Sequence, residues 1–65
     1  MNRSQLIERK HQVIAQIQHT RRELERLRLQ PDRRSQRRAQ ELDAQLTGLM
    51  NEEQRLRIEI DQTRD

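Results

Sequence analysis

Along the first half of the chain apolar residues recur at Leu6, Val13, Ile17, Leu24 and Leu27, with Lys10 and Thr20 filling the intervening steps. The steps alternate between four and three residues, the spacing that holds side chains on one stripe of a helix wound against a partner. A second stripe of the same kind runs Ala39, Leu42, Leu46, Leu49, Glu53, Leu56 and Ile60. The two frames do not join. Continued through Pro31, the first would place Arg34 and Arg38 on the seam, where the second has Ser35 and Ala39. The pattern therefore predicts an all-α chain: one two-helix antiparallel coiled-coil hairpin over residues 1–65.

Local signals set the expected boundaries. Ser4 is a good N-cap residue, so the first helix is expected from about residue 4 to 29. Pro31 lacks a backbone N–H and disfavours helical geometry at Gln30, which places the turn at about 30–34. Asp32 is suited to cap the second helix, expected over about 32–63. Gly48 falls inside that helix, where it costs about 1 kcal/mol relative to alanine. Leu46 and Leu49 keep the stripe in phase across it, so it reads either as an exposed position or as a place where another helix comes close.

Folding the stripes together antiparallel pairs Leu6 with Ile60, Lys10 with Leu56, Val13 with Glu53, Ile17 with Leu49, Thr20 with Leu46, Leu24 with Leu42 and Leu27 with Ala39. In this register three flanking pairs are opposite in sign: Arg9 with Glu52, Glu23 with Arg38, and Arg21 with Asp43. Lys10 and Glu53, one step apart across the seam, are a fourth candidate pair. Such contacts select the register more than they add stability, because exposed pairs contribute only about 0 to 1 kcal/mol.

Composition limits what the hairpin can be. With 65 residues, 29% hydrophobic and none of them aromatic, the chain cannot build a thick core. Self-association or a partner helix is the expected remedy. Ile7, Ile14 and Met50 widen the apolar stripe away from the turn, where the matching flanks near the turn are Arg21, Arg28 and Gln36. Those three are the candidate interface, either for a second hairpin, giving a homodimeric four-helix bundle, or for another protein's helix. Leu29 and Ile58 fall on outer faces and carry no assignment.

Charge is divided along the chain. Residues 21–38 hold eight arginines against Glu23, Glu25 and Asp32, a balance of +5, whereas residues 41–65 hold seven acids against three arginines, a balance of −4. Arg33, Arg34, Arg37 and Arg38 at the turn are candidates for contact with phosphate or an acidic partner. The alternative origin is a solvated face written in arginine, since the chain has thirteen arginines and one lysine.

Little supports catalysis. His11 and His19 lie about 12 Å apart along a helix, too far to share a metal ion, and no cofactor is expected. Ser4 and Ser35 lack any base arranged beside them, and Glu52 and Glu53 point in different directions. Absence of cysteine leans toward a reducing compartment, and no run is long enough for a signal-peptide core or membrane span. The expectation is a cytoplasmic, non-enzymatic coiled-coil interaction module, adaptor or small regulatory subunit, with no small-molecule substrate and no membrane contact. The alternative is a small nucleic-acid-binding regulator that grips phosphates through its arginine-rich turn.

Overall fold

The computed structural model describes residues 2–64. Two helices, α1 (Arg3–Arg28) and α2 (Arg33–Gln62), pack against each other as a hairpin measuring 50 × 14 × 13 Å, and no strand occurs among the described residues.

Helix α1 begins two residues earlier than a Ser4 cap would allow, because Asn2 is the cap. Its Oδ1 accepts from the Gln5 backbone N–H at 2.8 Å, while its own N–H donates to Gln5 Oε1 at 3.1 Å. This reciprocal pair is a capping box, which satisfies the first backbone donors of the helix and shifts the start ahead of Ser4. At the other end Leu29 caps the helix, its N–H donating to the Arg26 carbonyl at 3.3 Å, and the Gln30 N–H reaches the Leu27 carbonyl at 3.1 Å. Pro31 then prevents continuation.

Asp32 starts α2 as expected, accepting from the Ser35 N–H at Oδ2 (3.1 Å). Ser35 ties both sides of the turn together. Its hydroxyl donates to Gln30 Oε1 at 2.6 Å, so its burial leaves no polar atom unpartnered. Helix α2 closes at Thr63, whose N–H and hydroxyl both donate to the Glu59 carbonyl, at 2.9 and 2.7 Å. Gly48 sits in the continuous helix with a side-chain site open to solvent: a Cβ there would meet nothing within 4 Å.

All fourteen seam positions read from the sequence are buried or half-buried, and Val13 is fully enclosed. Leu6, Val13, Ile17, Leu56 and Ile60 form one cluster, with Leu46, Leu49 and Ile7 packed against it. Leu24 and Leu42 are buried nearer the turn, beyond the polar seam residue Thr20. The apolar core is thus thickest in the half that carries the chain ends.

The flanking charges follow the expected register at one pair of three. Arg9 Nε and Nη2 donate to Glu52 Oε1 at 3.0 and 2.8 Å. Arg38 instead pairs with Glu41 on its own helix at 3.1 Å, and Glu23 lies 3.9 Å from His19. Asp43 faces Arg28 at 3.9 Å rather than Arg21, which points Nη2 at Met50 Sδ, 4.0 Å away. Helical side chains lean toward their own N-terminus. Across an antiparallel pair the nearly level Arg21 and Asp43 therefore lean apart, while Arg28, two turns further on, leans back to meet Asp43. Glu53 is likewise taken by Arg57 at 2.7 Å instead of by Lys10.

Candidate functional site

The residues singled out from the sequence fall on two surfaces. Ile7, Ile14 and Met50 share one flank of the hairpin. Ile7 packs against the core cluster, Ile14 is half-buried, and Met50 is 45% exposed. In the seam register Ile14 and Met50 are nearly level, and Ile7 is displaced by about 10 Å toward the chain ends. Charged residues frame them: Arg21 lies over the Met50 sulfur, and Arg57 and Glu53 pair beside a shallow groove that Met50 and Ile17 also line. The flank is an apolar strip with a charged border.

The second surface is the turn end. Arg33 and Arg34 occupy the first turn of α2, and Arg37 follows on the next; all three are exposed and form no ion pair among the described residues. Arg38 differs from them in its bond to Glu41. From α1, Arg22 and Arg26 add two more exposed, unpaired guanidinium groups near the same end. The sequence reading counted Arg22 and Arg26 in the cationic stretch 21–38 but named only Arg33, Arg34, Arg37 and Arg38 as candidate contacts. Between the two helices, hydrogen bonding from the Ser35 side chain and backbone N–H holds the Asp32 carboxyl below its ordinary range. The Ser35 hydroxyl has one proton and donates it to Gln30, so the backbone N–H is the bond that sustains the effect.

A third feature escaped the sequence reading. On the flank opposite Met50 an open groove runs between the helices, lined by Gln16, His19, Thr20, Gln45, Gly48 and Leu49. The missing side chain at Gly48 leaves it open, and its lining is mostly apolar. His11 and His19 are both exposed, and no group of acidic or histidine side chains suited to a metal ion occurs among the described residues. Within the same residues no helix is long and apolar enough to cross a membrane.

No family model, curated protein or solved structure matches this chain.

Proposed function

We propose that the chain is a non-enzymatic helical interaction module whose two helices pair as an antiparallel coiled coil. Its Ile7–Ile14–Met50 flank docks a second copy, and the two hairpins build a four-helix bundle. The exposure of Met50 beside two half-buried isoleucines carries the reading, because a seam only two helices thick leaves this apolar strip wet. The weak points of the seam favour the same conclusion. Lys10, Thr20 and Glu53 replace apolar residues at three of its fourteen steps, so the isolated hairpin buries little for its length. A docked helix would supply what is missing. The lack of cysteine suits work in a reducing cytoplasm.

Sedimentation equilibrium at micromolar concentration tests the reading. A dimer is expected, and the double variant I14K/M50K is expected to sediment as a monomer while keeping its helical circular dichroism. A wild-type monomer at these concentrations would remove the self-association reading, and a variant that stays dimeric would move the interface to another face.

A further inference from the structure

The arginines of the hairpin divide by what they touch. Arg9, Arg28, Arg38 and Arg57 each face a carboxylate. Arg22, Arg26, Arg33, Arg34 and Arg37, gathered at the turn end, face none among the described residues. Arg55 and Arg64 also have no ion pair among the described residues, but Arg55 lies singly in the acidic half of α2 and Arg64 follows the helix end, and their sequence neighbours include Glu52, Glu59 and Asp61.

Helix electrostatics separate these side chains further. A helix favours bases in its last turn and acids in its first. Arg26 obeys, closing α1 where the carbonyl ends are negative. Arg33 and Arg34 do the reverse: they open α2, whose first turn contains no acidic residue, so that only the Asp32 cap offsets two like charges at the positive end. Neither ion pairing nor the helix dipole within the chain makes use of Arg33, Arg34 and Arg37. An external polyanion would.

We propose that the turn end of the hairpin binds the phosphate backbone of a double-stranded nucleic acid through Arg33, Arg34 and Arg37 of α2 with Arg22 and Arg26 of α1. In the seam register these five span about 16 Å along the hairpin, a length over which duplex DNA carries about nine charges. Arginine forks match phosphate oxygens, and the chain offers no aromatic ring on which an unpaired base would stack, so contact is with backbone and not with base faces. The site is distinct from the Ile14–Met50 flank and does not depend on self-association.

Fluorescence anisotropy with a fluorescein-labelled 20-base-pair RNA duplex, and the DNA duplex of the same sequence, tests the site across a salt series. With about four phosphates neutralised, affinity is expected to fall roughly 100-fold between 50 and 200 mM salt. The variant R33Q/R34Q/R37Q is expected to lose at least tenfold in affinity at 50 mM salt and about 2.5 from the slope of log affinity against log salt. R33K/R34K/R37K should largely retain binding, and R55Q/R64Q should bind as the wild type does. Circular dichroism and sedimentation of the glutamine variant should match the wild type, which separates this site from the self-association interface. Absence of duplex binding at 50 mM salt, equal losses in R55Q/R64Q, or stronger binding to phosphatidylserine vesicles than to either duplex would overturn the proposal. The vesicle result would assign the tip, with its 86% exposed Leu29, to a membrane surface instead.

Discussion

Arg9 and Glu52, forty-three positions apart in sequence, meet across the two helices: both Nε and Nη2 of the arginine donate to the same oxygen, Oε1, at 3.0 and 2.8 Å. The contact sits beside the seam at the end of the hairpin with the thicker apolar core, where it fixes α1 against α2 in one register. Both side chains remain about one-third exposed, which limits the strength of the pair. Replacing Glu52 by arginine is expected to cost about 1 kcal/mol, part of it new repulsion with Arg9. The swap R9E/E52R should recover most of the loss in thermal unfolding followed by circular dichroism. Failure of the swap to recover stability would show that the register does not depend on this charge contact.

Stability is expected to track the seam and not the outer faces. Leu42 is 2% exposed and Leu29 86% exposed, although both are leucines within fourteen residues of each other. Leu42→Ala should cost about 2 kcal/mol, the low end of the usual range because a two-helix core can partly collapse around the gap. Leu29→Ala should change stability by less than about 0.5 kcal/mol. Chemical denaturation of the two variants checks the contrast, and comparable losses would contradict the packing described.

Gly48 gives a prediction of opposite sign. Its side-chain site is empty space, so Gly48→Ala removes the backbone entropy cost of glycine without creating a clash. A gain of about 1 kcal/mol is expected in thermal unfolding. A loss would mean that another helix approaches the groove beside His19 and Gln45 closely enough to need the missing side chain.

The acid limb of stability should carry the signature of Asp32. Its carboxyl is held below the ordinary value of 3.8 by Ser35, so the ionised form is favoured in the folded state. The contribution is fully present above the unfolded value and disappears as pH falls through the lower folded value. Helical content is therefore expected to hold at neutral pH and to decline below about pH 4. Asp32→Asn, which keeps an acceptor for the Ser35 N–H, should flatten that decline with little loss at pH 7. Asp32→Ala, which removes the cap altogether, should lower the thermal midpoint at pH 7 as well.

How far the fold was legible follows from the kind of information each feature needs. The seam is a periodic property of the chain, and its fourteen positions were readable because every one of them, polar or apolar, must face the partner helix once the frame is set. Asn2 was hidden by a better-looking candidate, Ser4, two residues on; the deciding signal was Gln5, which completes the reciprocal bonds with Asn2. The charge pairs were less legible for a geometric reason. Register predicts which residues are level, but Arg28 reaches Asp43 by leaning along the helix axis, and Arg38 has Glu41 within one turn of its own helix. Spacing on α2 alone offers the Arg38–Glu41 pair but not its preference over Glu23, and the Arg28–Asp43 contact needs both helices. The open groove at Gly48 was equally out of reach, since it is bounded by residues from both helices.

The claim on which both surfaces depend is that the chain folds back at Pro31 with its helices side by side. Spin labels at the exposed positions Gln12 and Arg55, in labelled chains diluted with unlabelled protein, measure this within one molecule by double electron–electron resonance. With helix axes about 8–10 Å apart, a separation below about 30 Å including both label arms is predicted. A distance near 65 Å, the span of forty-three residues in one continuous helix, would contradict the hairpin and with it both proposed sites.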